Sequence, residues 1–276
     1  MVLNDNNIEC KGLTYRYPGY PSEALSSIDL TFEQGKMYAL LGRNGSGKST
    51  LAMCMGGLLL PTAGSVLALG FDTGGENGGS RTRGKLGMVF QDPDTRMVAM
   101  SVEEEVAFGP ENLGLPGEQI RSRVDSVLRR VGIEDLSGRQ PLRLSQGQKQ
   151  LVAIAGALAM EPFFLLSDES TSMLDHAARS RVLDLLGSLR DDGMGIVHVT
   201  HFISEAAQAD HVIVLDSGRV ALQGPPEQVL SDPESLLSLG LDPLPVTIVA
   251  GELLKRGHRV PNGMLDEEEL VAWLKG

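Results

Sequence analysis

The sequence is short of cysteine, of positive charge and of unbroken apolar runs, and each shortage excludes something. Among 276 residues only Cys10 and Cys54 are cysteines. Two thiols give no disulfide framework and no zinc-ligand spacing, which fits a reducing cytoplasm. Lys and Arg number 24 against 36 Asp and Glu, a formal net charge of −12. So acidic a chain is a poor partner for nucleic acid or for anionic lipid. The polar start, residues 1–7, does not read as a signal peptide. Residues 49–71 carry no charge, yet Gly56, Gly57, Pro61 and Gly64 interrupt them, so they do not read as a spanning helix. Direct membrane insertion is not expected, and any membrane role would run through a protein partner. No internal repeat is visible.

What is present is a 42% hydrophobic content, enough for a substantial core. The length suits one large α/β domain with a small appendage. The most informative stretch is residues 42–50, G-R-N-G-S-G-K-S-T. It satisfies G-x-x-x-x-G-K-[ST] through Gly42, Gly47, Lys48 and Ser49. The apolar run 37–41 precedes it, and the helix-forming Leu51, Ala52, Met53 and Met55 follow. Strand, glycine loop and helix in that order make an anion site. Gly45 and Gly47 let backbone approach phosphate oxygens, while loop N–H groups and the positive helix end face the charge. Lys48 supplies a point charge for β- and γ-phosphates, and the Ser49 hydroxyl is a ligand for Mg²⁺.

Before this loop, Leu13, Tyr15 and Tyr17 alternate, as do Ile28, Leu30 and Phe32, which predicts short strands. Tyr17 suits an adenine ring, but pattern alone favours a half-exposed strand tyrosine. Residues 65–69 predict another short strand, and residues 74–84 a glycine-rich loop. The buried run 85–91 ends on Gln91, where open α/β sheets place ligand groups; a strand-end cap is an equal reading.

A helical insert comes next. Glu103, Glu104 and Glu105 precede a helical face of Ile120, Val124, Val127, Leu128 and Val131, which Gly132 stops. Residues 144–148 read L-S-Q-G-Q, and Ser145 is a good N-cap for an apolar helix reaching about Met160. The run 163–169, F-F-L-L-S-D-E, predicts a strand buried on both faces. At its end Asp168 and Glu169 suit Mg²⁺ and the polarisation of an attacking water. Val182, Leu185, Leu186 and Leu189 mark a further helix. The strand 196–199 ends at Thr200 and His201, and that position lets His201 converge on a γ-phosphate. His198, inside the strand, reads as simply packed. Strands at 212–215 and 219–222 finish the sheet. Beyond Gly224 prolines separate short helices, with Asp266 capping a last one whose apolar face is Leu270, Trp273 and Leu274. That face suits either a fold-back on the core or a dimer surface, the fold-back being the commoner outcome.

Taken in order, these motifs resemble the ATP-hydrolysing subunit of ABC transporters over about residues 8–230. Residues 42–50 match its Walker A loop, Gln91 its Q-loop, residues 144–148 its signature L-S-G-G-Q, and residues 164–169 its Walker B strand. Residues 170–175 match its D-loop and His201 its switch histidine. Q-D-P-D at 91–94, V-E-E-E-V-A-F-G-P-E-N-L-G-L-P at 102–116 and T-S-M-L-D at 171–175 are similar to energy-coupling-factor importers of vitamins, cobalt and nickel.

The resemblance implies a P-loop α/β core with an antiparallel β subdomain and a helical subdomain at about 92–160. Together these form an ATPase domain at 1–235, followed by a small α-rich domain at 236–276. It implies ATP and Mg²⁺ as cofactors. Nucleotide contacts would come from Tyr17, Gly42, Asn44, Gly45, Ser46, Gly47, Lys48, Ser49, Thr50, Gln91, Asp168 and Asp175. Ser145, Gly147 and Gln148 would reach a second subunit's ATP. Ser49, Gln91 and Asp168 would hold the metal; Glu169, His201 and Lys48 would be catalytic. Implied partners are a second ATPase subunit, identical or not, an integral membrane coupling subunit and a substrate-binding membrane component, at the cytoplasmic face of the membrane. The sequence departs from the family at Gln146 (usually glycine), Ser167 (usually apolar) and Ser170 (usually proline).

Overall fold

In the computed structural model, which describes residues 6–75, 81, 82, 84–261 and 263–275, the predicted alternation becomes two sheets. The chain opens with β1 (Ile8–Tyr15), β2 (Leu25–Phe32) and β3 (Met37–Leu41), then α1 (Lys48–Met55), β4 (Ala63–Ala68), β5 (Phe71–Asp72) and β6 (Leu86–Val89). Strands β2-β1-β4-β5 form an antiparallel sheet in that order. Its inward residues are the alternating ones, Ile8, Cys10, Leu13 and Tyr15 on β1 and Leu25, Ile28, Leu30 and Phe32 on β2. Tyr17 lies just past β1 rather than within it. The uncharged run 49–71 is divided among α1, a loop, β4 and the start of β5. Among the described residues no helix is long and apolar enough to cross a membrane. Of the loop read at 74–84, residues 76–80 and 83 lie outside the described residues.

The helical insert is α2 (Val102–Asn112), α3 (Gly117–Val131) and α4 (Gln146–Leu158). Ser101 and Glu104 close a capping box on α2, and Gly132 at φ 70° ends α3. Val124, Val127, Leu128 and Val131 are buried as their spacing predicts, with Ile120 partly so. Then follow β7 (Phe164–Asp168), α5 (His176–Asp191), β8 (Gly195–Val199), α6 (Ile203–Ala206), β9 (His211–Asp216) and β10 (Arg219–Gly224). The second sheet runs β10-β9-β3-β8-β7-β6, parallel except for β10.

Every residue of β3, β7 and β8 is buried. Both faces of the sheet are therefore covered, as parallel sheets require. Along β3, Met37, Ala39 and Leu41 point into a core shared with the helical insert, while Tyr38 and Leu40 point into one shared with the first sheet. The parallel order carries the C-terminal ends of β3, β6, β7 and β8 to one edge, the place where such sheets bind ligands.

The chain ends with α7 (Pro226–Val229), α8 (Pro233–Ser238), α9 (Pro245–Lys255) and α10 (Glu267–Lys275). Leu236 and Leu241 join the larger core, whereas Val246, Ala250, Val260, Met264 and Leu270 form a small core of their own. Asp266 caps α10, accepting from the N–H groups of Glu268 and Glu269. Leu270 and Trp273 pack inward, but Leu274 is exposed. The face expected to hold all three holds two.

Candidate active site

Residues 42–47 leave β3 and enter α1, and three glycines there take positive φ: Gly42 at 148°, Gly45 at 80° and Gly47 at 105°. Around Gly45 a Cβ would meet nothing within 4 Å, so that side of the loop is open. A Cβ on Gly42 would lie 2.3 Å from the Leu215 carbonyl oxygen, and one on Gly47 would lie 2.7 Å from that of Ala24. An approaching phosphate is thus not the first reason for Gly47; the protein's own backbone already demands it. Beside Gly42, Ser46 is buried, and its hydroxyl has no hydrogen-bond partner among the described residues.

Lys48 and Ser49 open α1 and face the carboxylates at the end of β7. Lys48 Nζ donates to the carbonyls of Gly42 at 2.8 Å and Arg43 at 3.2 Å, and lies 3.9 Å from Glu169 Oε1. Burial pushes its ammonium below the usual value, while Glu169 and Asp168 pull the other way. Ser49 donates to Asp168 Oδ1 at 2.9 Å. Burial raises the Asp168 carboxyl, against that hydrogen bond. Glu169 follows with φ 49°, a left-handed conformation unusual for a non-glycine residue. Its N–H donates to the Val199 carbonyl at 3.0 Å. From the end of β8, His201 Nδ1 stands 3.8 Å from Glu169 Oε2.

These side chains border a cavity of about 420 Å³ lined by Tyr17, Ala24, Asn44, Gly45, Gly47, Lys48, Ser49, Thr50, Gln91 and Glu169. The Tyr17 hydroxyl pairs with Thr50 Oγ1 at 3.1 Å, and its ring packs edge-on against Tyr15. Gly42, Asp168 and His201 adjoin the cavity through Lys48, Ser49 and Glu169 respectively. Ser145, Gly147, Gln148 and Asp175 do not line it. Ser145 caps α4 in a reciprocal box with Gln148, and Asp175 caps α5. The sequence motifs therefore sort into one group gathered around a cavity and another presented elsewhere on the surface.

A family model described as ABC transporter matches residues 25–172. The chain belongs to the ABC transporter family. It is 41% identical over 273 residues to the energy-coupling factor transporter ATP-binding protein EcfA1 of Clostridium novyi, covering 98% of each chain. Its fold is similar to cbiO1 from Clostridium perfringens, part of the ABC transporter complex cbiONQ, with a TM-score of 0.76 and 37% identity over 90% of this chain and 98% of that one. It is also similar to the cassette MJ0796 in a dimeric post-hydrolysis state bound to ADP and Pi, with a TM-score of 0.72 and 30% identity over 79% of this chain and 98% of that one.

In this ABC ATPase sequence reasoning missed the polar cluster around Glu205, beside the cavity edge. Glu205 on α6 accepts from Thr171 at 2.9 Å, Thr200 at 2.5 Å and His198 Nε2 at 2.8 Å. Arg179 Nε lies 3.5 Å from its other oxygen, and the Arg179 guanidinium covers the Phe202 ring, which packs on His201. The hydrogen bonds from His198, Thr200 and Thr171 outweigh burial and hold the Glu205 carboxyl below its ordinary value. His198 is thus a hydrogen-bonded member of a network. The available signal was two polar residues, Ser167 and His198, interrupting two adjacent apolar strands at positions that pair in register.

Asp94 was also missed. It takes Lys149 Nζ at 2.5 Å and Gln146 Nε2 at 2.8 Å, which holds its carboxyl below the usual range. Gln146, the departure within the signature, thereby ties the start of α4 to the segment after Gln91.

Proposed function

We propose that this ABC ATPase binds and hydrolyses ATP to energise a membrane importer of the energy-coupling-factor type, with the cavity above α1 as one half of the catalytic site. The observation that carries the reading is the convergence of Lys48, the Ser49–Asp168 pair, Glu169 and His201 on one edge of a parallel sheet. Near-full-length similarity to an energy-coupling factor ATP-binding protein supports the importer class.

Backbone N–H groups of residues 44–48 and the start of α1 would hold the phosphates, with Gly45 leaving their approach open. Lys48 would move from its carbonyl partners to the β- and γ-phosphates, where its burial strengthens the attraction. Tyr17 would stack on the adenine while Thr50 holds its hydroxyl. Glu169 would take a proton from the attacking water, and His201 would orient the γ-phosphate beside it. Mg²⁺ fits the donor set: a hydroxyl and a carboxylate oxygen 2.9 Å apart, with the Gln91 amide on the same cavity, are the hard oxygen ligands it prefers. Ser49, Asp168 and Gln91 would hold it. When bound it neutralises charge developing on the phosphate oxygens.

The signature group completes the reading. Ser145 opens a helix, as Lys48 does, and an ATP gripped between two such helix ends needs a second subunit. Ser145, Gly147 and Gln148, with Asp175 beside them, would face that subunit's nucleotide. Residues 236–276 would act as a small C-terminal domain.

A groove of about 330 Å³ flanked by α2 and α4 would receive the membrane coupling subunit. Phe90, Arg96, Met97, Phe108 and Met160 are among its lining, and Val98, Met100 and Phe108 are exposed. Such an apolar surface marks a partner site. The importer's substrate-binding component would contact the coupling subunit rather than this chain, which would sit on the cytoplasmic face of the membrane.

Glu169→Gln is the direct test. Steady-state hydrolysis should fall about 10²- to 10⁴-fold, as for loss of a general base, with ATP binding retained. Near-normal turnover would refute the assignment. Sizing of the same variant with Mg-ATP separates two assemblies: a shift to dimer means that the chain complements its own site, and a monomer with ATP bound means that a different subunit supplies the facing signature.

A further inference from the structure

Two serines flank the carboxylate pair where an all-apolar strand end would otherwise be. Ser167 ends the apolar part of β7 and Ser170 follows Glu169; both are 1% exposed. Their hydroxyls lie 2.5 Å apart. Ser167 Oγ is 3.2 Å from His198 Nδ1, and His198 Nε2 is 2.8 Å from Glu205 Oε2. The carboxylate can only accept, so Nε2 donates to it. Nδ1 pairs with the Ser167 hydroxyl, and that hydroxyl pairs with Ser170. The chain Ser170–Ser167–His198–Glu205 is therefore continuous and buried throughout.

Its upper end meets the catalytic backbone. Glu169 sits at φ 49°, a conformation costing about 1–2 kcal/mol for a side-chain-bearing residue. On the N-terminal side it is held by its bond to Val199. Its carbonyl accepts from the Ser172 N–H at 3.1 Å and the Ser172 hydroxyl at 2.8 Å. The Ser170 N–H makes no backbone hydrogen bond among the described residues. The Ser170 hydroxyl on Ser167 thus anchors the residue that follows Glu169, beside the bond of Thr171 to Glu205.

We propose that Ser167 and His198 are positioning residues for Glu169, fixing its strained backbone through the Ser170 hydroxyl. The inference rests on Glu169 being the general base. A base displaced by a fraction of an ångström loses rate while the phosphate cradle, built from α1, is untouched. The effect belongs in kcat and not in KM.

The test is steady-state hydrolysis by the membrane complex co-purified through a tag on this chain. Ser167→Ala breaks the relay with little change in volume and leaves the His198–Glu205 bond intact. It should lower kcat about 5- to 20-fold, with KM for ATP within about twofold. His198→Gln keeps a donor for Glu205 but loses the second ring nitrogen that pairs with Ser167. It should show the same split, and the double variant should fall no further than either single one. An unchanged kcat in both single variants overturns the proposal, and so does a KM that rises as kcat falls. Glu169→Gln runs beside them: normal turnover there refutes the base itself, whereas its loss together with a wild-type Ser167→Ala refutes only the relay.

Discussion

Glu205→Ala asks how much one buried carboxylate holds together. Glu205 is 1% exposed and receives hydrogen bonds from His198, Thr171 and Thr200, with Arg179 on its remaining oxygen. Removal leaves three donors buried at about 1–3 kcal/mol each. Against that stands the relief of no longer keeping a charge out of water, several kcal/mol in the other direction. The balance for breaking one side of a buried charged pair is a loss of about 3–5 kcal/mol. For a chain of this size that is a drop in Tm of about 6–20 °C. Glu205→Gln retains one acceptor oxygen and should lose less than half as much.

Thermal and urea unfolding of the nucleotide-free protein measure both, and acid supplies a second reading. The folded carboxyl titrates below its ordinary value of 4.5, so the unfolded chain takes up the proton first as pH falls. The Glu205 contribution is complete above that value and disappears as pH falls through the lower folded one. The gap between wild type and Glu205→Ala should therefore be constant near neutrality and close in acid. A Tm loss under about 2 °C, or a gap that widens in acid, would refute the account of Glu205 as the hub.

Two other perturbations follow from single contacts. Gly47→Ala would put a Cβ 2.7 Å from the Ala24 carbonyl oxygen and 2.9 Å from Leu25 Cδ2 at φ 105°. It should destabilise by about 2–5 kcal/mol, the sum of overpacking and backbone strain, and urea unfolding without nucleotide would show it; an unchanged midpoint would mean that Gly47 serves the ligand alone. Arg96→Glu removes a guanidinium stacked 3.5 Å above the Phe90 ring in the groove wall. Transport by the assembled importer should fall at least tenfold while its basal ATP hydrolysis stays within about twofold, and intact transport would argue against the groove as the coupling site.

Periodic elements were legible because burial in this fold is periodic. Strand β3 was readable from five apolar residues before a glycine loop, and α3 from Val124, Val127, Leu128 and Val131 on one face. The loop residues of the cavity were readable because the phosphate-binding pattern is local in sequence. The Glu205 network was not, since its members come from β7, the loop after it, β8 and α6, and each alone looks like an ordinary polar residue. Reading His198 as packed followed from its place inside an apolar strand; only the register of β7 with β8 sets it opposite Ser167. The split of α10, with Leu270 inward and Leu274 outward, depends on how α9 crosses it, which helical spacing does not encode.

The surface proposed to face a second subunit is not separate from the cavity. Gly147 near the start of α4 has no side chain because a Cβ there would lie 2.7 Å from Ala178 Cβ on α5. Ala178 is also the residue whose N–H binds the Asp175 cap. The signature end of α4 and the loop 170–175 therefore abut at a contact with no slack. That loop is bound at Thr171 to Glu205, and Glu205 is bound to Thr200 beside His201. On the other side Gln146 and Lys149 grip Asp94, three residues past Gln91. Gln91 on the cavity and His201 beside Glu169 thus have a packed, hydrogen-bonded route to the Ser145 end of α4. The two halves proposed for the ATP site, the cavity and the signature end of α4, are thus joined through side-chain contacts within one chain.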